Sequence, residues 1–415
     1  MRATHPWILA VGALPLVLGP VPGPATAPAP APAASAETMR DVLLVGNNWD
    51  GTADIVDART YQRLCRVDVI PDRDQRLAEI TFDPVRLAAF LFVRTQIGEG
   101  HDQFVDDLYA SNDGHLLYAS RPSFGDVVAI DLGTGQIRWR TRVDGQRADH
   151  MAISPDGTRL AVSASTAKVV DVLDTATGRI TGTFPSGDSP HENTYSRDGS
   201  KIFHASIGAV YTALDEPWLD WTKGERVFEI VDAHTLQVLR TVNMGDKLRE
   251  FGMPGMSAAV RPMALTADGR FAYLQVSFLH GFVEYDLQAD RVTRVAQLPV
   301  PEETAKLRRD EYILDSAHHG IALSGDGTKL CVAGTMSNYA AIVSRPSFSH
   351  RILPLGARTY WATSSADGRY CYVSVAGDDT LSVISYATEQ EVARIPVGDH
   401  PQRVRTARVA EPVLG

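Results

Sequence analysis

Residues 153–163 read ISPDGTRLAVS, and residues 171–180 read DVLDTATGRI. In the first stretch Asp156-Gly157 separates two apolar runs. Asp-Gly at such a place marks a hairpin turn, because glycine accepts positive φ without steric penalty. In the second stretch an apolar strand ends at Asp174, a polar turn follows, and another strand starts at Ile180. Together they describe four strands: A before the Asp-Gly turn, B after it, C ending in the Asp-containing turn, and D beyond.

The same two signals recur outward in both directions. Asp-Gly turns stand at Gly114 (SNDG), Gly157 (SPDG), Gly199 (SRDG), Gly269 (TADG), Gly327 (SGDG) and Gly368 (SADG). Their spacings are 43, 42, 70, 58 and 41 residues, the two long ones carrying insertions. The second signal returns as AIDLGTGQI, IVDAHTLQV, EYDLQADRV and VISYATEQEV. Four-stranded units at this period are propeller blades, whereas a β-sandwich would not repeat its turns in register. The ends complete the count. From Asp41 the chain supplies strands B, C and D with no A, and the C-terminal HPQRVRTARVAE supplies an A with nothing after it. The expected fold is therefore an all-β, seven-bladed β-propeller whose C-terminal strand closes the first blade.

The phrases ISPDGTRLAVS, DVLDTATGRI and DDTLSVISYATEQEVARIPVGDHP resemble the YVTN-type repeat of exported bacterial seven-bladed propellers. The resemblance covers essentially the whole chain after its first residues. It implies an architecture similar to the propellers of heme-bearing nitrite reductase, amine dehydrogenase heavy chains and lactonase-like proteins. It implies no catalytic residue, because none of those families' site motifs is matched here.

The 415 residues carry a net charge of -10, which lacks the electrostatic footprint of a nucleic-acid partner and disfavours anionic membranes. Residues 1–36 read as an export signal: Arg2, the apolar WILAVGALPLVLG, a Pro/Ala-rich tract and a small-residue site ending at Ala36. The expectation is a secreted or cell-envelope protein, with residues 37–415 forming a single monomeric domain and no membrane span after signal cleavage. Cys65, Cys331 and Cys371 are an odd set. Cys331 and Cys371 occupy registers one residue apart in successive repeats, so their side chains face different ways. The expectation is three buried free thiols.

In a propeller the starts of the A strands, the D-to-A connections and the B-to-C loops share one face. All the large inserts fall there: residues 72–100, 208–226, 245–260 and 300–317. Asp83-Pro84 predicts a helix start within the first. Eight residues before each turn glycine stand Asp106, Asp149, His191, Arg261, His319 and Tyr360. Seven before stand Asp107, His150, Glu192 and Trp361 among others, with Arg403 equivalent in the composite blade. His318 precedes His319, and His101 and His400 lie just upstream of their strands.

This polar ring admits three readings: a solvent-lined shaft, a binding site, or a catalytic or metal site. As a binding site it takes a small polar or anionic molecule, with Arg261 and Arg403 gripping a carboxylate or phosphate and Asp106, Asp149, His150, Glu192, His318, Tyr360 and Trp361 around it. As a catalytic site it uses His191, His319 and Arg261, for lyase, isomerase or hydrolase chemistry. As a metal site it offers His150, His191 and His319 to a divalent ion, the one cofactor the residues suggest. The expected function is binding of a small ligand, or a protein partner, at the insert-bearing face. Trp49 is expected to pack on a blade face, Trp218 and Trp221 to pack within their loop, the alternative being exposure on the blade-four insert for stacking on a ligand, and Met244, Met253 and Met256 to pack as hydrophobes rather than hold copper.

Overall fold

The turn at Gly157 shows how a blade is made. Gly157 N donates to Ser154 O at 2.8 Å, Thr158 N donates to Asp156 Oδ1 at 3.1 Å, and Arg159 N donates to Ser154 Oγ at 3.0 Å. Gly157 lies at φ +71°, and the glycines of the other five turns lie between +66° and +71°, where a Cβ is penalised. The computed structural model describes residues 37–414, with Gly19 besides. Over these residues the turns build seven antiparallel four-stranded sheets, the blades of a β-propeller. The expected export signal and Pro/Ala tract, residues 1–36, lie outside the described residues.

Blade three consists of Ala148–Ile153, Arg159–Ala164, Val169–Asp174 and Ile180–Pro185. Its B and C strands are buried almost end to end, while the outer D strand alternates between half-buried and exposed. B and C read as continuous apolar runs because neighbouring blades cover both their faces. Blade one is the composite. Its innermost strand, Pro401–Ala410, pairs antiparallel with Met39–Asn47, from Met39 opposite Ala410 to Asn47 opposite Pro401. The two ends of the described chain thus close the ring on each other, and the pairing covers what would be a free sheet edge.

The first insert forms α1 (Arg73–Thr81), α2 (Pro84–Phe92) and a π turn over Val93–Ile97. Asp83 Oδ1 accepts from Val85 N at 3.0 Å and Arg86 N at 3.2 Å, so the predicted helix start is present. α1 has no side-chain cap hydrogen bond; it is tied down through Asp72, which accepts from the fully buried Arg121 at 3.2 Å while Arg121 also grips Asp126 at 2.7 Å. Further along, α3 (Met244–Glu250) buries Met244 and Leu248, and Met253 and Met256 pack against the same core, so these methionines are hydrophobic packing. Among the described residues no helix is long and apolar enough to cross a membrane.

The cysteine expectation is corrected. Cys331 in blade six and Cys371 in blade seven form a disulfide with their Cα atoms 6.4 Å apart, and Cys65 is a half-buried free thiol. The reason is geometric. Adjacent blades pack one sheet's front on the next sheet's back, so two side chains meet across the seam only if they point to opposite faces of the repeat. The one-residue offset therefore favours the bond. Cys371→Ser should leave the ring closed and lower the unfolding free energy by about 4 kcal/mol, since the bond closes a loop of some 40 residues. Denaturant titration checks this; an unchanged midpoint would contradict a stabilising staple.

Candidate functional site

The start of each A strand delivers its side chains to the axis. His150, His191 and His319 come from blades three, four and six and are each nearly fully buried, at 2%, 6% and 1% exposure. The ring is thus an enclosed polar centre rather than a wet shaft. One nitrogen from each imidazole lies within 4.8 Å of the others, and His191 Nε2 stands 3.1 Å from His319 Nε2.

Carboxylates orient two of these rings. His150 Nδ1 faces Glu192 Oε2 at 2.7 Å, and His191 Nδ1 faces Asp149 Oδ2 at 3.2 Å. The other nitrogen of His150, Nε2, receives an N–H of Arg403. Arginine cannot accept, so His150 carries its proton on Nδ1 and donates it to Glu192. His191 likewise donates from Nδ1 to Asp149 and turns a lone pair toward His319. His319 must then spend its Nε2 proton on His191, which leaves its buried Nδ1 without a partner. Asp106 Oδ2 and Asp149 Oδ1 are also buried and unpartnered, each 3.9 Å from His150 Nε2. Asp106, Asp149 and His150 form a second donor group sharing that histidine. Buried polar atoms left unmatched are costly, so several in one place point to a missing occupant.

Charge is tightly managed around the centre. Burial pushes Glu192 up to about 8 although Arg403 and Arg405 oppose it, and pushes Asp106 up to about 7 against Arg403. Burial also opposes ionisation of Asp149, but Arg147 and the His191 hydrogen bond outweigh it and hold that carboxyl well below the usual range. Burial lowers His191 to about 4, and burial with Arg403 holds His150 and His319 well below the ordinary histidine value. All three imidazoles are neutral at pH 7, the form that ligates metals.

The remaining candidates divide. Arg403 stacks on Trp361, with its guanidinium carbon 3.9 Å from the ring centroid, and has Nε and Nη1 unpartnered. Tyr360 lies against His319, centroids 4.5 Å apart. Arg261 is drawn toward the insert: Nε donates to Ser277 Oγ at 2.9 Å, and Nη2 donates to Leu314 O. That insert turn holds two successive left-handed residues, Leu314 at φ +46° and Asp315 at φ +62°, and Lys223 ties Asp315 to Asp215. His318 does not join the ring. Successive strand residues point oppositely, and His318 sits with His280 and Tyr339 in the wall. His101 and His400 also lie elsewhere, sandwiching Trp49 with both centroids at 3.8 Å. Trp218 and Trp221 are 69% and 78% exposed, so the expected loop packing is corrected: their short helical turn has no neighbour to bury them.

Two residues essential to the charge pattern escaped sequence alignment. Arg405 donates to both oxygens of Asp107 at 2.9 and 2.7 Å. Arg147 donates to Asp149 at 2.6 Å. Each stands two residues from an aligned ring position, on the same strand face, so extending the alignment by two would have found both.

Two approaches lead inward. A cavity of about 1000 Å³ opens on the face of the Asp-Gly turns and reaches Glu192, Trp361 and Arg405. A smaller one of about 280 Å³ lies on the insert-bearing face and reaches Arg147 and Ser165. Each ends at the support of one ring histidine, Glu192 for His150 and the Arg147–Asp149 pair for His191. The wider approach is thus opposite the inserts.

Fold and site together define a seven-bladed β-propeller with a buried polar centre on its axis. No protein-family model matches the chain, and no curated protein matches it. Among solved structures it is similar to hydrazine synthase of Kuenenia stuttgartiensis, at TM-score 0.55 and 15% identity, over 74% of this chain and 96% of that one. At that identity the likeness shows the propeller fold alone. The YVTN-type resemblance rests on the repeat phrases.

Proposed function

We propose that this is an exported propeller that holds a divalent transition-metal ion on its axis and uses it, with Arg403, to bind a small anionic ligand. One observation carries the reading. His150 and His191 each give Nδ1 to an acidic side chain; His191 Nε2 meets His319 Nε2, and His150 Nε2, which accepts an Arg403 N–H here, lies among the unpartnered oxygens of Asp106 and Asp149, so that a bound ion would take the place of that N–H. A carboxylate behind a histidine is the usual way a ligating imidazole is aimed and made basic. Imidazole donors suit zinc, iron, copper or nickel. A bound ion would supply Lewis acidity at this place. Arg403, its guanidinium over the Trp361 ring, would turn its Nη2 from His150 to the anion and supply a second positive charge beside the ion. Tyr360 and Trp361 would shape the space around it.

Elemental analysis of purified protein is expected to find about one equivalent of a transition metal, or to find it after dialysis against Zn2+. His191→Ala should abolish retention through a desalting column. Glu192→Gln should weaken it roughly 10- to 100-fold, because it removes only the orienting carboxylate. Wild-type protein that neither contains nor retains a transition metal would sink this reading.

A further inference from the structure

The smaller cavity, on the insert-bearing face, lies outside the axial ring and needs no metal. Its inner wall is apolar: Val93, Ile97, Ile207 and Val210 are 2–7% exposed, and Phe92 and Tyr211 meet edge-on at its mouth with centroids 4.9 Å apart. Val93–Ile97 is the π turn that continues α2. Such turns distort a helix and recur at functional sites. Phe92 and Tyr211 are 37% and 40% exposed, so the mouth faces solvent.

Arg147 stands in the polar wall with its side chain 14% exposed. Its Nη1 is engaged, donating to Asp149 Oδ2 at 2.6 Å and Ser165 Oγ at 3.0 Å. Its Nε is buried without a partner, and among the described residues no hydrogen bond is made by Nη2. Nη2 is the nitrogen left open for a ligand carboxylate, in a charge-assisted hydrogen bond, while Nε is enclosed. The nearby Asp188 is no competitor, since it accepts from Lys168 at 2.6 Å and from Glu225 N at 2.9 Å.

We propose that this cavity binds a small carboxylic acid with a single apolar ring or branched chain, its carboxylate on Nη2 of Arg147 and its tail against Val93, Ile97, Ile207 and Val210. A volume of about 280 Å³ admits one such group and excludes larger ligands.

The test uses the full chain freed of metal with EDTA, so its outcome is separate from that of the axial site. Phenylacetate and 3-methylbutanoate are titrated calorimetrically, with neutral phenylacetamide alongside. At least one acid is expected to bind at one site per chain, and the amide on the order of tenfold more weakly, for want of the charge-assisted hydrogen bond. Val210→Trp, which fills the cavity, should abolish acid binding. Arg147→Gln should weaken the acids to the level of the amide, and this second variant decides the matter if Val210→Trp melts early. No binding of either acid, amide binding equal to the acid, acid binding unchanged in Arg147→Gln, or acid binding that survives in folded Val210→Trp would each overturn the proposal.

Discussion

A chain ended after Val397 is expected to be insoluble or unfolded. The deletion removes the strand Pro401–Ala410, which is the innermost strand of blade one and the partner of Met39–Asn47 along its length. Two losses combine. The sheet edge of Met39–Asn47 is left open, with Leu43, Leu44 and Val45, all fully buried in the intact protein, flanking it; an open apolar edge pairs with other chains. The axis also loses Arg403 and Arg405 while Asp106, Asp107 and Glu192 remain buried there. Breaking even one buried pair, here Arg405–Asp107, costs about 3–5 kcal/mol, a large fraction of a typical folding free energy of about 5–15 kcal/mol. Arg405→Ala alone should therefore lower the melting temperature strongly with the strand still in place. Soluble, monomeric truncated protein with an unchanged melting curve would mean that the ring is held by something other than this strand.

Acid should unfold the metal-free protein over a narrow range. Seven histidines, at 150, 191, 204, 280, 318, 319 and 400, are held below the ordinary histidine value, in each case first by burial. Their folded form is neutral, so the stability they contribute is complete above about pH 6.5. It is lost as pH falls toward the folded values, about 4 for His191 and His280 and about 3 for His204 and His400.

Six buried carboxyls act in the opposite sense, Asp126 and Asp315 among them. Burial raises Asp171 to about 6, Asp106 and Glu229 to about 7 and Glu192 to about 8. Their contribution is complete below the unfolded carboxyl values and is lost as pH rises through about 6–8. Seven histidines against six carboxyls leave the unfolded chain holding a net excess of protons near pH 5. Each net proton is worth about 1.4 kcal/mol per pH unit, so stability should fall with pH there, and faster once the unfolded carboxyls protonate too. Melting followed by circular dichroism in EDTA should peak between pH 6 and 7 and collapse before pH 4. A melting temperature that stays level from pH 7 to pH 4 would show that these histidines are hydrated.

The amino-acid order alone determined the blades and their number. Asp-Gly turns and Asp-capped turns act within about ten residues of chain, through glycine at positive φ and a carboxylate accepting nearby N–H groups, so their spacing shows wherever they fall. Aligning positions from those turns also brought out His150, His191, His319, Asp106, Asp149 and Glu192 as axial, because pseudo-symmetry repeats strand A in every blade. What only the tertiary structure decided are contacts that cross from one blade to another. Whether Cys331 meets Cys371 depends on the front of one sheet packing on the back of the next, which no single repeat contains. That His318 turns into the wall while His319 turns to the axis, and that Arg405, nearly three hundred residues along the chain, closes on Asp107, follow from ring closure. Closure sets distances between residues whose local sequences carry no trace of one another, and burial at the centre then sets which protons each side chain keeps.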